Sequence, residues 1–499
     1  MRNLNDKILG ATKWSAITEI IAKLIVPITN MILARILAPE AFGVIATITM
    51  IISFVDMFTD AGFQKFLIQY EFKSEEDLNL FANVAFWTNL IISIVLWSLI
   101  IIFSDRIAYM VGNNGLGNVI AIACIQLPLT SFSSIQMSIY RRNFDFKTLF
   151  AVRIVSILIP FLITIPLAFL GFSYWSLILG NIVSHLFNAI ILTLKSTWKP
   201  RLVYKFEALK DMLSFSIWTL IESISIWLTT WIDTFIIGSM LNQYYLGIYK
   251  TSMSMVNSIF LLVTASTTPI LFSALSRVQD NDLEFKKIFF TFQKIVSYLV
   301  FPISIGIFIF SDFVVKILLG DKWSEASGVI SIWGLISGIL IIFSHYSSEI
   351  YRAKGKPKLS FLAQMLHLIV LIPICYIFVQ YDFDTFVNAR AIIRLESVFV
   401  NLIIMKYIFG ITFRNIFNNI KYSFVASILM GILGLILVNI SQNILWQIIS
   451  ILICIIVYIL ILFIGNESRK DIYIFIQKIE LDKKLNLNKK TIIMKGNEK

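Results

Sequence analysis

Apolar runs of spanning length, separated by short polar turns, follow one another along the whole chain. A helix rises about 1.5 Å per residue, so about 20 mostly apolar residues cross a hydrocarbon core about 30 Å thick. Fourteen runs reach that length. The first six lie at about 14–36, 41–64, 80–103, 117–139, 148–170 and 174–194. Six more lie at about 212–238, 244–272, 288–311, 327–349, 359–380 and 385–409, and two follow at about 419–438 and 444–465. The pattern predicts an all-α polytopic membrane protein.

Composition supports this. Of 499 residues, 58% are hydrophobic and 14% charged, with a mean hydropathy of +0.83. An ordinary soluble domain is about 25% charged. A cytosolic enzyme, a secreted disulfide protein and a disordered chain are therefore excluded. Cys124, Cys375 and Cys454 all lie inside apolar runs, so no disulfide framework is expected. The short polar N-terminus leads into a run of spanning length carrying Glu19 and Lys23, unlike a cleaved signal peptide.

The net charge of +12 reads as topology rather than as nucleic-acid binding. With the N-terminus inside, 32 of the 42 Lys and Arg fall in inner segments or at their margins. Seven lie within spans, and the outer loops hold three: Arg106, Lys316 and Lys322. Both termini are expected in the cytoplasm. The inner loop 65–79 carries more acids than bases, but acids count little in this rule. The tail places Ile472, Phe475, Ile476 and Ile479 at helical spacing among nine Lys and Arg, the pattern of a basic amphipathic helix on the inner leaflet or of a solvated tail.

No connection is long enough for a catalytic domain, and none carries a phosphate-binding loop. Gly112-Asn-Asn-Gly-Leu-Gly117 lacks the lysine of such a loop and reads as a turn. His185, His345 and His367 lie in three separate spans, so a histidine metal site is not expected. The chain is read as a non-enzyme without a cofactor. Trp14, Trp198, Trp323 and Trp446 lie near span ends, where an interfacial belt is the default.

A weak internal repeat is present. Arg35 to Gly43 and Ser239 to Gly247 each end one apolar helix, turn within a few residues and restart at a glycine. The glycines are 204 residues apart, and Glu19 and Glu222 recur 203 apart. This suggests an N-terminal lobe at 1–210 (spans 1–6) and a C-terminal lobe at 211–410 (spans 7–12) around a central cavity. Spans 13 and 14 at 411–466 and a basic tail at 467–499 would complete the chain.

Ionisable residues inside a bilayer normally face a partner or a wet cavity. The cations within spans are Lys23, Arg35, Arg153, Lys250, Lys294, Arg390 and Arg394. Arg153 and Lys294 lie close enough to the inner surface to snorkel. Lys23, Lys250, Arg390 and Arg394 are the candidates for binding an anionic head group, since Lys and Arg suit phosphate and carboxylate. A Glu19–Lys23 pair and an Arg390, Arg394, Glu396 ion network are the structural alternatives. Asp56 and Asp60 share a face of span 2, and Pro27 marks a candidate hinge.

Several segments resemble a known family. They are Arg35-Ile-Leu-Ala-Pro-Glu-Ala-Phe-Gly43, Asp60-Ala-Gly-Phe63, Leu67-Ile-Gln69 and Arg141-Arg-Asn-Phe-Asp-Phe146. Asp233-Thr-Phe-Ile-Ile-Gly238, Leu246-Gly-Ile-Tyr249, Pro269 to Arg277 and Leu319-Gly-Asp-Lys-Trp323 continue the match. The chain is similar to the Wzx-type flippases and the teichuronic and colanic acid exporters. These belong to the multidrug/oligosaccharidyl-lipid/polysaccharide superfamily.

The resemblance implies translocation of an undecaprenyl-diphosphate-linked oligosaccharide, such as an O-antigen, capsule or exopolysaccharide unit. The unit would pass from the inner to the outer leaflet of the bacterial cytoplasmic membrane by alternating access. Its partners would be the lipid-linked substrate, membrane lipids, and polysaccharide polymerase and chain-length machinery, with no nucleic acid. With no ATP site, an H+ or Na+ gradient is one energy source, and Glu19, Glu222, Asp233, Asp56 and Asp60 are the coupling candidates. A drug or organic-cation antiporter, a peptidoglycan-precursor flippase and, less favoured, a membrane glycan polymerase are the alternatives.

Overall fold

The structure is a computed structural model that describes residues 2–60, 62–465 and 469. The expected tail at 467–499, Arg469 apart, lies outside the described residues. All regular structure among the described residues is helical. In chain order the helices are α1 (Arg2–Ile36), α2 (Pro39–Asp60), α3 (Phe63–Gln69), α4 (Glu75–Ile102), α5 (Ser104–Met110), α6 (Gly117–Ala123) and α7 (Gln126–Arg142). Next come α8 (Phe146–Phe169), α9 (Tyr174–Lys195), α10 (Phe206–Met240), α11 (Gln243–Arg277), α12 (Asp282–Ile309), α13 (Ser311–Leu318) and α14 (Ala326–Leu340). The last are α15 (Ser347–Ala353), α16 (Lys358–Phe378), α17 (Phe383–Ile393), α18 (Leu395–Phe409), α19 (Phe413–Val438) and α20 (Ile444–Ile464).

Every expected span is helical. Eleven helical stretches among the described residues are long and apolar enough to cross a membrane. Two of them join neighbouring helices, at Gly117–Arg142 and Ala326–Ala353. The first and seventh expected spans fall on α1 and α10, whose side chains are described only in part. The twelfth carries a one-residue turn at Arg394, where the backbone stays in the α region, between α17 and α18, much as the fourth is interrupted between α6 and α7.

Local chemistry sets the helix starts. The Ser74 hydroxyl accepts from the backbone N–H of Asp77, and Glu75, Glu76 and Asp77 fill the positively polarised first turn of α4. Asp145, Asn281, Asp382, Thr412 and Asn443 cap α8, α12, α17, α19 and α20 in the same way. The glycine-rich stretch is a turn, with Gly112 at φ +72° and Gly115 at φ +80°, a left-handed region that favours glycine.

The chain forms two compact units. One comprises Met1–Leu262, Val314–Trp333 and Pro357–Ser397; the other comprises Val263–Phe313, Gly334–Lys356 and Val398–Lys499. The expected lobes divide the chain by repeat and span order rather than by contact. In the second unit α12, α19 and α20 share a core around Phe310, Met430 and Tyr458. There the hydroxyls of Ser297 and Ser423 are hydrogen-bonded at 2.7 Å, and the Tyr458 hydroxyl donates to the Tyr298 carbonyl at 2.9 Å.

The first unit carries most of the family-like segments and shows why they are there. The repeat glycines do not start their helices, as the sequence suggested. α2 starts at Pro39 and α11 at Gln243, and each glycine sits one turn in, where the two helices meet. A Cβ on Gly43 would lie 1.9 Å from the Gln243 carbonyl oxygen, and one on Gly247 would lie 1.8 Å from that of Pro39. Only glycine allows that approach. At the end of α1, the Trp323 indole donates to the Ala34 carbonyl at 2.7 Å and Lys322 to the Ile36 carbonyl at 3.0 Å. The Arg35 guanidinium donates to the Ile317 carbonyl. These bonds satisfy carbonyls that a helix C-terminus leaves without partners.

Trp323 is therefore fully buried rather than part of an interfacial belt, and Trp198 is also buried, packed on Phe86. Arg142 Nη1 donates to the carbonyls of Leu67 and Tyr70, each at 2.8 Å, at the end of α3. Its guanidinium lies 4.7 Å from the centre of the Phe72 ring.

Candidate functional site

Six helices of the first unit, α1, α2, α8, α9, α10 and α11, surround a cavity of about 570 Å³. Its wall is amide- and hydroxyl-rich: Asn30, Asn181 and Asn188 with Thr29, Thr49, Thr164, Ser156, Ser184, Ser254 and Ser258. Trp231 and Phe42 add aromatic faces. The charged lining residues are Arg153 and Lys250, with His185 beside them, and no Asp or Glu is among the described lining residues.

The polar wall is braced between α8 and α9. Ser184 donates to the Ser156 carbonyl at 2.9 Å, and the Ser156 hydroxyl bonds to Asn188. His185 Nδ1 lies 3.3 Å from the Thr130 hydroxyl. Gly180 permits the approach, since a Cβ there would meet the Thr164 hydroxyl. Arg153, an exposed side chain of α8, also lines this cavity. Pro27, the expected hinge, lines the same cavity within an unbroken α1.

Behind Lys250 lies an ion network. Asp233 on α10 is fully buried. Its Oδ2 accepts from the Tyr249 hydroxyl at 2.8 Å and from Arg390 Nε at 3.1 Å. Its Oδ1 accepts from the Thr234 N–H at 2.7 Å and lies 3.8 Å from Lys250 Nζ. Lys250 Nζ also donates to the Thr230 carbonyl at 3.3 Å and sits 4.4 Å from the Trp231 ring centre. Arg394 stacks on Trp333 at 3.9 Å, with Arg390 at 5.4 Å from the same ring. The turn at Arg394 thus comes where the chain brings two guanidinium groups onto one indole. Two residues after Arg394, Glu396 Oε2 lies 3.0 Å from His367 Nδ1 on α16.

The structure therefore gathers Lys250, Arg390, Arg394 and Asp233, four of the nine residues singled out by sequence. Lys23 is half-buried on α1, one turn before the cavity-lining Val26 and Pro27. Asp56 lines a separate cavity of about 340 Å³ with Lys65, Thr130, Ser131 and Ser134. The side chains of Glu19, Asp60 and Glu222 lie outside the described residues. Arg153, Tyr249, Trp231 and Trp333 were not singled out as site residues. Arg153 was noted as a cation within a span and read as an anchor, and Tyr249 fell in the Leu246-to-Tyr249 segment; the two tryptophans carried no signal.

The family described as "Polysaccharide biosynthesis protein" matches residues 32–328, which contain most of the cavity lining and half of the ion network. The chain belongs to this polysaccharide biosynthesis protein family. It is 22% identical over 377 residues to the lipopolysaccharide biosynthesis protein WzxC of Escherichia coli K12, covering 74% of this chain and 75% of that one. It is 23% identical over 313 residues to the succinoglycan biosynthesis transport protein ExoT of Rhizobium meliloti, covering 63% of each. Among solved structures, the lipid II flippase MurJ in an inward closed conformation superposes with a TM-score of 0.73 at 16% identity. That match covers 90% of this chain and 98% of MurJ, and shows that the two share a fold. This member of the polysaccharide biosynthesis protein family is a multi-pass membrane protein, and among its relatives ExoT is named as a transport protein.

Proposed function

We propose that this protein is a flippase that carries a lipid-linked oligosaccharide, with an undecaprenyl diphosphate anchor, from the inner to the outer leaflet of the cytoplasmic membrane. The observation that carries the reading is the cavity lining: two cations, no acid among the described lining residues, and amides and hydroxyls set among apolar side chains. Cations suit a diphosphate or an acidic sugar, and amides and hydroxyls suit glycan hydroxyls. An organic-cation antiporter would need an acid facing its substrate.

Alternating access moves the head group while the polyprenyl tail stays in lipid. Both termini are assigned to the cytoplasm on the Lys and Arg distribution. If an H+ or Na+ gradient drives the cycle, Asp233 is poorly suited to couple it, because Arg390, Lys250, Tyr249 and Thr234 already occupy its oxygens. That leaves Glu19, Asp56, Asp60 and Glu222 as the groups to test. The test of the function is translocation of lipid-linked oligosaccharide by the purified protein in vesicles, abolished by neutralising Lys250 and Arg153.

A further inference from the structure

Lys250 belongs to two environments at once. It lines the cavity, and its Nζ lies 3.8 Å from the carboxylate of Asp233, which is fully buried and is not among the cavity-lining residues. It is also the looser of the two cations on that carboxylate, since Arg390 Nε is at 3.1 Å. We propose that Asp233 is a resident stand-in for the substrate's anionic group: it holds Lys250 in the empty cavity and yields it to an incoming phosphate or carboxylate. This rests on the flippase reading above and assigns the cation exchange to named residues.

The geometry favours such an exchange. When Lys250 leaves, Asp233 keeps Arg390, Tyr249 and the Thr234 N–H, so the buried carboxylate is never stranded. Lysine is a point charge on a flexible stem and can swing, whereas the Arg390 fork is fixed by its bond to Asp233 and its place beside Trp333. The cluster is also short of acceptors. Arg390 Nη1 is buried without a hydrogen-bond partner, beside one carboxylate that serves two cations. An anion that takes Lys250 leaves the single carboxylate to Arg390. The stand-in solves a problem of the return step as well: a cavity cation with no counter-ion is costly inside a membrane, and the empty carrier must still reset.

The test uses the full-length protein in lipid nanodiscs, with inorganic pyrophosphate and glucuronate as separate probes. If Asp233 competes for Lys250, Asp233→Asn binds one of the two anions more tightly, by about tenfold for the loss of one competing charge. Tighter pyrophosphate binding assigns the contact to the diphosphate, and tighter glucuronate binding assigns it to an acidic sugar. Lys250→Gln removes the gain. Asp233→Glu keeps the charge and brings it nearer to Lys250, so it should bind the same anion less tightly than wild type. It also decides the question if Asp233→Asn does not fold. Unchanged affinity for both probes in the folded variants overturns the exchange. Absence of translocation by the wild type, with these anion shifts intact, would instead overturn the flippase reading.

Discussion

Arg390 Nε donates to Asp233 Oδ2 at 3.1 Å across 157 residues of sequence, and both side chains are buried. Removing one partner of such a pair strands a charge, which costs about 3–5 kcal/mol, whereas replacing both with apolar groups is often near neutral. Arg390→Met should lower unfolding stability by at most that amount, because Lys250, Tyr249 and the Thr234 N–H still face Asp233, and Arg390→Lys, which keeps a cation beside the carboxylate, should lose less. Thermal unfolding of the two variants in detergent checks this. An Arg390→Met protein as stable as wild type would mean the pair holds nothing.

The crossing of α2 and α11 gives a second prediction. Gly247→Ala should destabilise by about 1–3 kcal/mol, the usual range for overpacking, because its Cβ would meet the Pro39 carbonyl at 1.8 Å. Gly306→Ala, with open space around the new Cβ, should be neutral or slightly stabilising. Equal effects of the two substitutions on unfolding would contradict the close approach.

Trp323→Phe keeps a buried ring but removes the N–H that donates to Ala34. The Ala34 carbonyl is then left unsatisfied, at a cost of about 1–3 kcal/mol. Trp323→Phe should show that loss in unfolding, and an interfacial aromatic would show none.

These contacts mark what the sequence could and could not tell. Span positions were legible because hydropathy over about 20 residues is a strong signal. The turn at Arg394 within the twelfth span was not legible, because the stacking of its side chain on Trp333 is a tertiary event. Trp323 was misread for the same reason: its partner, Ala34, is 289 residues away. Lys250, Arg390, Arg394 and Asp233 stood out because charges within spans are rare. Arg153 did not, because its distance from the inner surface fits snorkelling as well as cavity lining. The glycines were noticed as a repeat, but only the structure shows that each makes room for the first residue of the other's helix.

Topology is tested by labelling. Ser173 and Leu202 are both exposed, and the three native cysteines are buried, so background should be low. In intact cells an impermeant thiol reagent should label Ser173→Cys and spare Leu202→Cys. The reverse pattern would place the termini outside.

The most direct measurement of the central claim is leaflet exchange of an undecaprenyl-diphosphate-linked oligosaccharide in vesicles containing only this protein. An impermeant glycosidase reads how much glycan has reached the outer leaflet. Wild type should expose the inner pool, and Lys250→Gln with Arg153→Gln should slow that exposure by at least about tenfold, the effect of losing one charged hydrogen bond or more. An inner pool that stays as protected as in protein-free vesicles would contradict the account.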